Sequence, residues 1–301
     1  MGRAATNGIE LEYEFIGPEQ GEVVLAITGV IETLHHWPSG LCWRLADSGY
    51  RTLRYDARDC GRSTWLEATG VPTGPDAIPP YTLDDLAQDA IGLLDKLGIT
   101  RAHLVGFSAG GCVAQILAAR HPERLSSLIV FNSTSRAPGL PGRSPDALQN
   151  GGAWAQAGGS HQEAVDRIIP TLDQSDGTVY WRAPEEKQLW VDLLVARGYN
   201  PAGVARYRLA MQKSPPHHDL LGRIQAPTTI IHATEDKSFA LEHGEDLARR
   251  IPGARLRAIE GAGHGMPVSL TPHLAELFID HLNWSKRHPG STIEEFSSDA
   301  T

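Results

Sequence analysis

The spacing of apolar residues changes period repeatedly along the chain. Residues 9–16 (IELEYEFI) alternate like a half-exposed strand. Residues 23–27 (VVLAI) form a continuous apolar run, which marks a strand buried on both faces. A helix is predicted over 41–48 and a strand over 50–56. YTLDDLAQDAIGLLDKLGI (81–99) reads as a helix, with Thr82 placed to cap it, Asp85 three residues on and Gly98 at its end. Strand 102–107, helix 109–120 stopped by Pro122, and strand 125–131 follow.

The rhythm breaks after Asn132. Residues 133–160 are rich in Gly, Pro and Ser, so few regular hydrogen bonds are expected there. Helices are predicted at about 161–169, 184–197 and 201–213, the second with Leu189, Trp190, Leu193 and Leu194 on one face. Alternation resumes with strand 228–233, helix 241–251, strand 254–259 and a closing helix at 270–286. Strands alternating with helices imply a mainly parallel sheet covered on both faces. The expected division is a core of 1–133 and 223–287, an inserted helical cap of 134–222, and a polar tail of 288–301 that frays.

Composition narrows the function classes. The chain of 301 residues carries a net charge of −9 with no lysine- or arginine-rich stripe, so nucleic acid is not an expected partner. The N-terminus has no apolar h-region and no segment reaches the length of a membrane span. Cys42, Cys60 and Cys112 form no close pair and no ligand spacing, as in a cytoplasmic protein with reduced thiols. The adjacent pairs His35-His36 and His217-His218 do not face one site on a helix, so no metal is expected. Oligomeric state leaves no mark in the sequence.

The candidate chemistry lies in HLVGFSAGGCVAQ, residues 103–115. Ser108 stands between a strand-like run and a helix-like one, with Gly106 and Gly110 two residues to either side. A sharp strand-to-helix turn would lift its hydroxyl out of the sheet, and the glycines relieve the crowding such a turn creates. A serine hydroxyl needs a base and oxyanion donors before it attacks a carbonyl. The expected chain order is serine, carboxylate, histidine. His264, in the glycine-rich loop EGAGHGMP after the last predicted strand, fits the base. The carboxylate follows strand 228–233, where Asp236 is preferred and Glu235 is the alternative. The oxyanion donors are expected to be the backbone N–H groups of Ala109 and of Val30, the latter in a loop that Gly29 lets turn.

These residues resemble the α/β-hydrolase family over nearly the whole chain outside the insertion. Residues 29–64 and 241–264 resemble its aclacinomycin methylesterase group. The resemblance implies a mostly parallel eight-stranded sheet with helices on both faces and a helical cap after strand 6. It also places the triad on Ser108, Asp236 and His264 and the oxyanion donors on Val30 and Ala109. Many members carry His-Gly where this chain has Thr28-Gly29. No cofactor is implied.

The expected reaction is hydrolysis of a carboxylic ester, a methyl ester or lactone, of an apolar aromatic small molecule. Gly29, Trp37, Phe107, Trp154, Trp181, Trp190, Tyr207 and Met266 are the candidate pocket residues. A carbon–carbon bond hydrolase or lyase on the same triad is one alternative, for which Arg182, Arg206 and Arg208 are available lid cations. A non-catalytic small-molecule binding protein is another. Asp56 to Ser63 (DARDCGRS) is read as a charged turn that braces neighbouring loops.

Overall fold

A computed structural model describes residues 1–30, 32–155 and 160–289. Strands β1 (Gly2–Thr6) and β2 (Ile9–Ile16) open the chain as an antiparallel pair. They are followed by β3 (Glu22–Ile27), β4 (Tyr50–Tyr55), β5 (Ala102–Phe107), β6 (Leu125–Phe131), β7 (Thr228–Ala233) and β8 (Arg255–Ile259). The sheet order is β1-β2-β4-β3-β5-β6-β7-β8, and every pairing from β4 to β8 is parallel. This matches the mostly parallel eight-stranded sheet that the sequence resemblance implies.

Helices α2 (Leu83–Lys96), α3 (Ala109–Arg120) and α8 (Leu241–Arg250) pack on one face of the sheet, and α1 (Ser39–Asp47) and α9 (Thr271–Arg287) on the other. The first helix of these begins where its cap chemistry dictates. Thr82 Oγ1 accepts from the Asp85 N–H, and the Asp85 carboxylate accepts from the Thr82 N–H at 2.8 Å. Gly98 then leaves the helix at a φ of 69°. Eleven of the twelve residues of α3 are buried, so this helix carries almost no polar stripe.

Among the described residues, four α-helices stand between β6 and β7: α4 (Pro145–Trp154), α5 (His161–Ser175), α6 (Pro184–Gly198) and α7 (Pro201–Lys213). Three departures from the sequence reading concern local signals. Strand β1 is absent from the hydrophobic pattern because GRAAT draws its strand character from pairing Ala4 with Leu11. Helix α4 forms inside the segment expected to be irregular, with the Ser144 side chain accepting from the Ala147 N–H and Pro145 at the first helical position. In α6 the buried face is Val191, Leu194 and Arg197, while Leu189 and Leu193 are exposed. The expected fraying of the tail from 290 on lies outside the described residues.

The insertion is tied to the core by buried charge. Asp59 holds Arg206 of α7 through both carboxylate oxygens, at 2.7 and 2.8 Å, and Asp56 holds Arg197 of α6 at 2.9 Å. Asp56 also accepts from the backbone N–H groups of Leu34 and Arg62, and Arg58 pairs with Asp89. The DARDCGRS turn therefore joins loops, sheet and insertion through carboxylates that carry more than one bond each.

Candidate active site

Ser108 sits at the carboxyl end of β5, with φ 54° and ψ −122°. A non-glycine residue pays for that conformation, and the surrounding packing enforces it. A Cβ on Gly106 would stand 2.5 Å from the Gly110 carbonyl oxygen, and one on Gly110 would stand 2.2 Å from that of Thr28. The start of α3 is thus pressed against the end of β3 so closely that only glycine fits.

The sheet brings three distant side chains into line. His264 Nε2 is 3.0 Å from Ser108 Oγ, and His264 Nδ1 is 2.6 Å from Asp236 Oδ2. The other Asp236 oxygen accepts from the N–H groups of Ser238 and Phe239, at 2.7 and 2.8 Å. Burial pushes the Asp236 carboxyl up, but His264, His232 and the Phe239 N–H outweigh it and hold it below the ordinary carboxylate value. Glu235, the alternative carboxylate, points elsewhere: it accepts from the Thr178 N–H and hydroxyl and so joins the insertion to the core.

Backbone donors flank the serine. The N–H groups of Val30 and Ala109 have no acceptor among the described residues. The Gly29 N–H donates to Glu32 Oε2 at 2.8 Å, and a Cβ on Gly29 would stand 3.0 Å from Ser108 Cβ. Sequence reasoning missed Glu32. Burial pushes its carboxyl up to about 8, against the Gly29 N–H and the Arg182 charge. His36 Nε2 lies 3.1 Å from Glu32 Oε1, and burial, then Arg182 and His264, hold that imidazole well below its ordinary pKa. Asn132, also missed, has φ 44°. Its side chain donates to the Gly263 carbonyl and accepts from the Ala233 N–H, so it fixes the His264 loop against the end of β7.

A cavity of about 430 Å³ opens over Ser108 and His264. That is the size of a small-molecule site. Val30, Trp154 and Trp190 line it; Trp154 and Trp190 meet edge to face at 5.3 Å. Gly29 lies beneath, against Ser108. The other aromatic candidates fall outside the lining. Phe107 packs behind the site, its ring 5.1 Å from His264 and 5.0 Å from His36. Trp37 and Met266 belong to the core under α1 and α9, and Tyr207 packs against Tyr81. Trp181 is 55% exposed; its neighbour Arg182 turns inward instead and pairs with Asp176. Aromatic content alone did not separate core rings from cavity rings. Of the three candidate lid cations, Arg182 and Arg208 line the cavity, whereas Arg206 is spent on Asp59.

A family profile described as alpha/beta hydrolase fold matches residues 22–268. The chain belongs to the α/β-hydrolase family. This α/β-hydrolase is 31% identical over 296 residues to rhodomycin D methylesterase DauP of Streptomyces sp. (strain C5), covering 91% of this chain and 95% of that protein. It is 30% identical over 302 residues to rhodomycin D methylesterase DnrP of Streptomyces peucetius, covering 93% and 97%. The enol-lactonase of Burkholderia xenovorans LB400 superposes with a TM-score of 0.73 at 24% identity, over 94% of this chain and all of that one, a likeness of fold. The α/β-hydrolase is accordingly a carboxylic-ester hydrolase that resembles the aclacinomycin methylesterase group. Among the described residues, no helix is long and apolar enough to cross a membrane.

Proposed function

We propose that this hydrolase cleaves a methyl ester or lactone of a ring-bearing small molecule by an acyl-enzyme route on Ser108, His264 and Asp236. The observation that carries the reading is the continuous relay from Ser108 Oγ through both His264 nitrogens to Asp236. His264 takes the Ser108 proton as Oγ attacks the carbonyl carbon. The N–H groups of Val30 and Ala109 receive the oxyanion, and the imidazolium then protonates the leaving alkoxide. Water, deprotonated by His264, attacks the acyl-enzyme and releases the acid. Asp236 holds the imidazole in orientation and stabilises its charged form. Residues 134–222 act as the cap that selects substrate, with Trp154 and Trp190 offering ring faces and edges to it. The methylesterase names of DauP and DnrP support a methyl ester.

The test is intact mass after treatment with a small fluorophosphonate. One adduct per chain is expected, mapped to Ser108 and absent in Ser108→Ala. A folded protein that takes no adduct would remove the nucleophile from this reading.

Glu32 gives the rate a pH dependence with a definite sign. Below about 8 its carboxyl is neutral. Above that it ionises and puts negative charge in the loop that carries an oxyanion donor, opposing the charge that develops in the transition state. Hydrolysis should therefore fall on the alkaline side, with a midpoint near 8. In Glu32→Gln the kcat/KM profile of an aryl ester should lose that limb. An unchanged limb in the variant would detach it from Glu32.

A further inference from the structure

The cavity is strongly cationic within an acidic protein. Arg136, Arg143, Arg182, Arg208 and Lys237 all line it, against one lining carboxyl among the described residues, Glu32, which is neutral below about pH 8. Some of these cations are already engaged. Arg182 pairs with Asp176, and Arg136 donates to the carbonyls of Gln212, Ser214 and Pro215. Lys237 is exposed to water. Arg143 and Arg208 differ. Both are partly buried, and neither has a hydrogen-bond acceptor or ion-pair partner among the described residues. The Arg143 guanidinium rests 5.1 Å from the centre of the Phe239 ring, which stacks a cation without neutralising it. Desolvation lowers the pKa of both; in Arg143 the charge of the buried Asp236 carboxylate opposes this in part, and in Arg208 the charge of Arg143 adds to it. Two guanidiniums that repel one another at a cavity wall are stabilised by an anion between them.

Their place relative to the reacting centre sets what that anion belongs to. Phe239 stands between: its ring is 5.7 Å from the His264 ring and 5.1 Å from the Arg143 guanidinium carbon. Arg143 precedes α4 and Trp154 ends it, so the backbones that carry the two stand at opposite ends of that helix. We propose that the substrate is the methyl ester of an acid bearing a second, free carboxylate about one ring's breadth from the ester, and that Arg143 and Arg208 bind that carboxylate. The inference rests on the hydrolase reading of the site. Methanol is too small to reach the guanidiniums, so the carboxylate belongs to the acyl part. Trp154, Trp190 and Val30 would then take the apolar remainder.

The test compares mono-methyl terephthalate with the same methyl ester whose free carboxylate is replaced by a carboxamide. The carboxylate ester should be preferred by about 10- to 100-fold in kcat/KM, mostly through KM. The preference should collapse towards one in Arg143→Gln/Arg208→Gln, shrink in each single variant, and survive in Arg143→Lys. No preference in the wild type, or one that persists in the double variant, overturns the proposal. Calorimetric binding of mono-methyl terephthalate to Ser108→Ala, with and without the arginine changes, reads the same contact without turnover. Binding that weakens with the arginines while no ester is hydrolysed and no fluorophosphonate adduct forms would fault the hydrolase reading alone. Binding indifferent to both arginines would fault the carboxylate site alone.

Discussion

His264→Ala is expected to lower kcat on an aryl ester by about 10⁴- to 10⁶-fold, with little change in KM. The size follows from the relay. With the imidazole gone, Ser108 Oγ loses its one hydrogen-bonded base among the described residues, and Asp236 has nothing to orient. The Val30 and Ala109 donors remain, so a residual rate above that of water should survive. Asp236→Asn should cost about 10⁴-fold for a different reason. A carboxamide that donates to Nδ1 selects the tautomer whose Nε2 carries the proton, and that nitrogen can no longer accept from Ser108. Steady-state rates of the two variants and the wild type decide the matter. A kcat for His264→Ala within tenfold of the wild type would sink the mechanism.

Asp59→Ala should reduce the free energy of unfolding by about 3–5 kcal/mol. Asp59 and Arg206 are both buried, and the pair is bidentate. Removing the carboxylate leaves a buried guanidinium with the Gly70 carbonyl as its only acceptor among the described residues. It also frees the Leu66 N–H. Adding Arg206→Met to Asp59→Ala should restore part of the loss, because the stranded charge is then gone. Urea unfolding of the three proteins gives the comparison. A loss below about 1 kcal/mol, the scale of an exposed pair, would mean that this contact does not hold the insertion.

What the chain discloses on its own follows from the range over which each signal acts. The elbow at Ser108 was readable because its causes, two glycines and a change of period, lie within a few residues of it. The start of α2 was readable for the same reason, since Thr82 and Asp85 cap it locally. The order of serine, carboxylate and histidine carried the reading as far as Asp236 and His264. Contacts made across the fold left no such trace. Glu32 in ITGVIET looks like any loop glutamate until Gly29 turns its N–H toward it and burial strips its water. Asn132 is one polar residue after a strand, yet it joins the ends of two other segments. Trp181 and Trp190 are equally aromatic, yet Trp181, ahead of α6, faces solvent while Trp190, on α6, lines the cavity.

Helix α7 has one further consequence. Arg206 and Arg208 lie two residues apart, which on a helix is a rotation of about 200°. Arg206 faces the Asp59 clamp, while Arg208, Met211 and Gln212, spaced three and four apart, face the cavity. Attachment and the cavity wall are therefore carried by opposite sides of one helix. On the proposed reading, exchanges at 208, 211 and 212 would alter which acid is accepted while the clamp that seats the helix stays as it is. Divergence of substrate range in descendants of this chain has a short route, through a few codons on one side of α7, with the frame that aligns the reacting atoms inherited unchanged.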